Sequence, residues 1–150
     1  MIEAAPPTAC ELLASLHARA FPKPWSASEI AKLMENQAVF ALMHGNGAEP
    51  NGFAMAWAAA GDAELLTVAV VPEARRKGVG AALVTSAGVA ALVRGAASMH
   101  LEVAETNEAA RALYRKLGYE EAGRRAAYYA GEGGSVDAIV MRRTLPRPVV

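Results

Sequence analysis

One cysteine, Cys10, is all the thiol chemistry that this chain of 150 residues holds. A single thiol excludes an internal disulfide framework and fits a reducing compartment. Histidine is sparse as well. His17, His44 and His100 stand far apart with no second cysteine to join them, so no structural zinc site is expected. Neither sign of charge is in excess: fifteen basic residues balance fifteen acidic ones, for a formal net charge of +0 and an isoelectric point near 6.8. That balance argues against a non-specific grip on nucleic acid or an anionic membrane as the main activity. Long apolar runs are missing too, because glycine, aspartate, glutamate or arginine interrupts each candidate before the about 18 residues a membrane span needs. Met1-Ile2-Glu3-Ala4 has no basic start and Pro6-Pro7 interrupts any apolar run there, so no targeting signal is expected. These absences predict a soluble cytoplasmic protein.

What is abundant is alanine. Thirty-five residues are alanine, so larger apolar side chains supply little more than half of the 53% hydrophobic content. Alanine on that scale favours close helix packing and argues against disorder. The length fits one domain, residues 1–150, with a frayed tail over about 146–150 marked by Pro146 and Pro148.

Two capping-box spacings open the chain, Thr8-Ala9-Cys10-Glu11 and Ser26-Ala27-Ser28-Glu29, predicting helices that run to about Ala20 and about Asn36. Phe21-Pro22-Lys23-Pro24-Trp25 between them must be a loop. Strands are expected over Ala38 to Met43 and Gly52 to Ala60, with Gly45-Asn46-Gly47 as the turn, and again over Glu64 to Val71 after Gly61-Asp62. The third is almost continuously apolar, which places it centrally in a sheet. The period then changes. Leu83, Val84, Ala87, Ala90 and Ala91 mark a helix over Gly80 to Leu92. Met99 to Val103 is a strand, and Glu108 to Leu117 a helix with Asn107 as N-cap and Gly118 at its C-terminal end. Ala126 to Ala130 and Val136 to Arg143 complete a hairpin across Gly131 to Gly134. The order predicts an α/β domain: a mixed, mostly antiparallel sheet with a parallel central pair, flanked by about four helices.

Arg75-Arg76-Lys77-Gly78-Val79-Gly80 comes after the apolar strand and opens a helix. Two glycines let successive backbone N–H groups converge, the helix turns its positive end on the same point, and three cations add field, which together suit a phosphate. A plain basic surface turn would read the same way. The spacing is neither a Walker loop nor a dinucleotide fingerprint.

Context favours the phosphate reading. Leu65-Leu66-Thr67-Val68-Ala69-Val70-Val71-Pro72-Glu73-Ala74 precedes the glycines, and Leu101-Glu102-Val103 and Asn107-Glu108-Ala109-Ala110-Arg111-Ala112-Leu113-Tyr114-Arg115-Lys116-Leu117-Gly118-Tyr119 come after them. The ordered set resembles the GNAT superfamily of acyl-CoA-dependent N-acetyltransferases, whose pyrophosphate loop reads Gln/Arg-x-x-Gly-x-Gly/Ala; Arg75, Gly78 and Gly80 match it. Within that superfamily the chain is most similar to the ribosomal-protein-alanine branch, through Phe21 to Trp25, Leu101-Glu102-Val103, Tyr128-Tyr129 and Asp137-Ala138-Ile139. The likeness covers about residues 12–145 and is strongest from 64 to 119. Ala104 departs from it, standing where several relatives carry a basic residue.

The resemblance implies a set of roles. Acetyl-CoA would be the cosubstrate, with no metal. Its pyrophosphate would lie on Arg75, Arg76, Lys77, Gly78, Val79, Gly80 and Ala81, its pantetheine and acetyl carbonyl along the backbone of Val68, Ala69 and Val70, and its arm against Asn107. Glu102 would be the base, acting through water. Its strand neighbours point the other way, leaving its carboxylate on one face with His100 and Ala104; a solvated strand glutamate is the plainer alternative. Tyr114 would protonate the leaving thiolate, where a packing aromatic would otherwise do. Phe21, Trp25, Glu64, Tyr128 and Tyr129 would bind the acceptor, although Trp25 equally suits a core or hinge and Glu64 a strand end. The three histidines are expected only on the surface or in helix packing. The implied reaction is acetyl transfer to a protein N-terminal α-amine, most simply the alanine of a ribosomal protein. A small-molecule amine, a lysine, or a non-catalytic CoA-binding module are the alternatives.

Overall fold

In the computed structural model, which describes residues 1–46, 49–131 and 134–146, the elements run β1 (Ile2–Ala4), α1 (Cys10–Ala20), α2 (Ala27–Met34), β2 (Val39–Asn46), β3 (Glu49–Ala59), β4 (Asp62–Val70), α3 (Val79–Val93), β5 (Ser98–Ala104), α4 (Glu108–Lys116), β6 (Glu120–Gly131) and β7 (Gly134–Thr144). For Asn46, Ala127, Tyr129, Ala130, Gly131 and Gly134 only the backbone is described. The strands form one sheet in the order β1-β2-β3-β4-β5-β7-β6. The apolar run at β4 is the middle strand, as its composition requires. All neighbours are antiparallel except β4 and β5.

That parallel contact is short. Only Asp62↔Ser98, Ala63↔Met99 and Glu64↔His100 pair, whereas β4 continues to Val70 and β5 to Ala104. Past Glu64 the two strands diverge, so the edge of β4 that faces β5 keeps backbone N–H and C=O groups without a strand partner there. The other edge of β4 carries a bulge: Met55 pairs with Thr67 but Ala56 with Leu65, leaving Leu66 as the extra residue. One added residue resets the alternation, so that Glu64, Leu66 and Thr67 all turn toward one face.

Two faces can be told apart at β3. A Cβ on Gly52 would meet Val79 and Leu83 of α3, while the ring of the next residue, Phe53, lies 6.1 Å from that of His17 in α1. Adjacent strand residues point oppositely. Hence α1 covers one face and α3 the other, and the core between includes Leu13, Ile30, Phe53, Met55, Leu83, Met99, Leu101 and Met141.

Several local expectations changed. Ser26 does form its capping box with Glu29. Thr8 does not, because Pro7–Ala9 makes a 3-10 turn and Ala9, without a capping side chain, precedes α1. Strand β1 was not expected; it joins the sheet by pairing with Leu42, Met43 and His44, forty residues away along the chain. Pairing of β2 with β3 runs on through Gly45↔Pro50 and Asn46↔Glu49, so the turn signal lies partly within the hairpin strands, with Gly47 outside the described residues. Strand β6 begins at Glu120, six residues earlier than expected. Of the expected tail, Pro146 is described, and residues 147–150, Pro148 among them, lie outside the described residues. Among the described residues no helix is long and apolar enough to cross a membrane.

Candidate active site

The glycine-rich turn joins β4 to α3. Gly78 is the residue before the helix, with φ of 80°, and offers no capping side chain. Arg76 shares this left-handed conformation, with φ of 64°. The first N–H groups of α3, those of Val79, Gly80 and Ala81, have no intrahelical acceptor by helix geometry, and the helix dipole adds to their positive end. A Cβ on Gly80 would sit 3.5 Å from Leu113 and 3.9 Å from Val70, so α4 and the end of β4 close in on this turn. Arg75 makes contacts that the sequence did not suggest. Its Nε donates to the Val70 carbonyl at 3.1 Å and its Nη2 to the Ala20 carbonyl at 3.2 Å, tying the turn to β4 and to the end of α1. Arg76 and Lys77 remain exposed cations. The backbone of Val68, Ala69 and Val70 lies in the diverging part of β4 that leads into this turn.

On β5, Glu102 is half-buried, and its Oε1 forms an ion pair with Arg125 Nε of β6 at 2.9 Å. The Arg125 guanidinium also lies 4.9 Å above the Tyr128 ring, which is half exposed. Glu102, Arg125 and Tyr128 are thereby brought together. Two residues back along the same face, His100 sits between carboxylates, its Nδ1 3.7 Å from Asp62 and its Nε2 3.9 Å from Glu64. Glu64 itself accepts from Trp57 Nε1 at 2.9 Å. His100, for which no function was expected, therefore belongs to the polar row beside Glu64. Nothing in the local sequence signals this, because the row is made by register across three strands.

Tyr114 lies on α4, partly buried against the core and edge-on to Tyr119, with ring centroids 6.0 Å apart. Burial pushes the Tyr119 phenol up to about 12, partly offset by Arg143. Asn107 caps α4, its side-chain oxygen accepting from the Ala110 N–H at 3.2 Å. Phe21 and Trp25, at the two ends of the loop, stack around one ring, that of His17, at centroid distances of 4.4 and 4.9 Å. Trp25 also lines a cleft of about 620 Å³ with Leu33, Val39, Trp57 and Leu66, rimmed by Glu29, Lys32 and Asn36. Tyr129 pairs with Val136 through its backbone; its side chain lies outside what is described.

The parallel pair thus splits beside a basic, glycine-rich helix start. The model of the acetyltransferase (GNAT) family matches residues 10–119, and the chain belongs to that family. It is an acetyl-CoA-dependent N-acetyltransferase. The chain is 36% identical over 123 residues to ribosomal protein bS18-alanine N-acetyltransferase of Escherichia coli K12, covering 82% of each chain. It superposes on the crystal structure of the Escherichia coli ribosomal-protein-S18-alanine N-acetyltransferase with a TM-score of 0.90 at 30% identity, over 99% of this chain and 96% of that one. It shares its fold with Arabidopsis thaliana NAA60, solved in complex with acetyl-CoA, at TM-score 0.82 and 17% identity, over 97% and 98% of the two chains.

The turn makes one expectation measurable. Among the described residues, nothing beyond its chain neighbours lies within 4 Å of a Cβ built on Gly78, so space for that atom is not the difficulty. Its φ of 80° is the difficulty, since a non-glycine residue in the left-handed region costs about 1–2 kcal/mol and a β-branched one more. Relaxing that strain would re-aim the N–H groups at the helix start. Gly78→Val is therefore expected to weaken CoA binding about tenfold or more, and Arg76→Ala much less. Calorimetry with CoA measures both. Unchanged affinity in Gly78→Val and in Gly80→Val together would sink the assignment of this turn to the pyrophosphate.

Proposed function

We propose that the chain transfers acetyl from acetyl-CoA to the α-amine at a protein N-terminus, and that a ribosomal protein beginning with alanine is the acceptor, which makes the cytoplasm its place of action. The observation that carries the reading is the opening between β4 and β5 beyond Glu64, with Glu102 on one side and the Val68–Val70 backbone on the other. The named activity of the relative at 36% identity supports the choice of acceptor.

The pyrophosphate of acetyl-CoA lies on the turn from Arg75 to Ala81, chiefly on backbone N–H groups, and its arm passes Asn107. A backbone N–H of the Val68–Val70 segment polarises the thioester carbonyl, an oxyanion contact that needs no special side chain. The amine nitrogen attacks that carbonyl carbon and the C–N bond forms. Glu102 removes the surplus proton through a water. The C–S bond then breaks, and Tyr114 gives its proton to the departing thiolate. A free α-amine has a pKa of about 7.7–8.0 against about 10.4 for lysine, so a single carboxylate suffices for the α-amine. Glu64 faces the incoming amine, with Phe21, Trp25, Tyr128 and Tyr129 as walls for the chain behind it.

A peptide beginning with a free alanine and containing lysines is expected to gain one acetyl group, at its α-amine. Blocking that terminus is expected to abolish turnover by mass spectrometry. Acetylation of the blocked peptide on lysine, or turnover only on small amines, would overturn the acceptor while leaving the donor site in place.

A further inference from the structure

His17 is the buried titratable group that the mechanism above does not use, only 3% exposed. Its Nδ1 accepts the backbone N–H of Trp25 at 3.0 Å. A neutral imidazole accepting through Nδ1 carries its proton on Nε2. That Nε2 lies 3.2 Å from the Thr67 hydroxyl, the residue that the β4 bulge turns toward α1. The ring is stacked with Phe21 and with Trp25 and tilted against Phe53. One side chain thus holds both ends of the Phe21–Trp25 loop and fixes that loop to β4, one residue before Val68.

We infer that His17 is a positioning residue for the acceptor: its neutral ring sets the Phe21–Trp25 loop, and protonation of the ring releases it. The inference rests on the reading that this loop walls the acceptor site. A protonated ring presents N–H at both nitrogens, so Nδ1 would point a donor at the Trp25 donor and the anchor would be lost. Burial also lowers the pKa of His17 from its ordinary 6.5, with Glu29 of α2 acting the other way. Among the described residues, the ring's stacking and hydrogen-bond partners are uncharged: Phe21 and Trp25 of the loop, Phe53 of β3 and Thr67 of β4. The neutral form therefore dominates at neutral pH, and the release falls below pH 6.5.

The test compares wild type, His17→Asn and His17→Ala across pH, reading kcat, KM for an alanine-first peptide and KM for acetyl-CoA. Asparagine puts a carbonyl oxygen where Nδ1 stood and does not titrate. His17→Asn is expected to keep the peptide KM within about threefold of wild type near pH 8, an anchor being worth about one hydrogen bond. Wild type is expected to show an additional rise in peptide KM below pH 6.5 that His17→Asn lacks. Protonation of the peptide amine affects both enzymes alike, so the ratio of their KM values isolates His17. His17→Ala is expected to raise the peptide KM about tenfold near pH 8, with the excess over wild type shrinking below pH 6.5, while the acetyl-CoA KM stays within about twofold. A ratio of wild-type to His17→Asn peptide KM that stays constant below pH 6.5 overturns the inference, as does a His17→Ala effect shared equally by both substrates. Should His17→Ala fail to fold, the asparagine variant decides alone. Trp25→Ala separates the levels: an unchanged peptide KM there overturns the acceptor wall itself. A raised peptide KM there, beside His17 variants that behave as wild type at every pH, overturns only the positioning role.

Discussion

Tyr114→Phe is expected to lower kcat by about 10²–10⁴-fold, the worth of a positioned general acid, while acetyl-CoA affinity stays nearly intact. That loss corresponds to roughly 2.7–5.5 kcal/mol of transition-state stabilisation. The substitution keeps the ring, and with it the edge-on contact to Tyr119 and the packing of α4 against the core. Only the phenolic hydroxyl goes. The neighbouring phenol cannot stand in for it, since Tyr119 is 2% exposed and burial holds its proton more tightly, up to about 12. Single-turnover acetyl transfer gives the rate, and calorimetry with acetyl-CoA the affinity. A kcat within about twofold of wild type would remove Tyr114 from the mechanism even though the fold and donor site stood.

What the sequence made legible was whatever a local pattern encodes. The near-continuous apolar run of β4 demanded a central strand. Ser26 with Glu29 and Asn107 before Glu108 announced helix starts that the structure shows. The parallel pair was implied by the strand–helix–strand order. What stayed hidden was made by register or by distant partners. Strand β1 is three residues long and is defined only by β2. Strand β6 lies at the sheet edge, and Glu120, Glu121, Arg124 and Arg125 give it no apolar alternation to read; Arg124 instead pairs with Glu105 and Asp137, which raises its pKa, and Glu121 pairs with Arg111 and Arg115, which lowers its own. At the site the same division holds. Glu102, Tyr114 and the glycine turn stand in linear motifs. The pairing of Glu102 with Arg125, the bond from Trp57 to Glu64, and His100 between two carboxylates all join residues from different strands. The β4 bulge at Leu66 adds a residue that no alternation rule announces, and it alone puts Thr67 within reach of His17.

Glu102→Gln is expected to lower kcat/KM by about 10²-fold near neutral pH, with the defect narrowing as pH rises past the amine's own pKa of about 7.7–8.0. Below that pKa most acceptor arrives as ammonium, which has one proton to lose before attack and another after it. Above it only the second loss remains, and hydroxide and buffer share the work. The structure makes glutamine a fair probe of charge alone. Glu102 Oε1 lies 2.9 Å from Arg125 Nε as an ion pair, and glutamine keeps the size and shape of the side chain while removing its charge. The native carboxylate can receive a proton, and the amide that replaces it cannot. Arg125→Ala separates positioning from basicity, because it frees the carboxylate without removing it and is expected to cost far less than Glu102→Gln at every pH. The measurement is kcat/KM for an alanine-first peptide from about pH 6 to 9 in all three enzymes, spanning the α-amine's pKa. A Glu102→Gln defect that is constant across that range would mean a structural loss instead of a lost base, and no defect at all would move the base to another group.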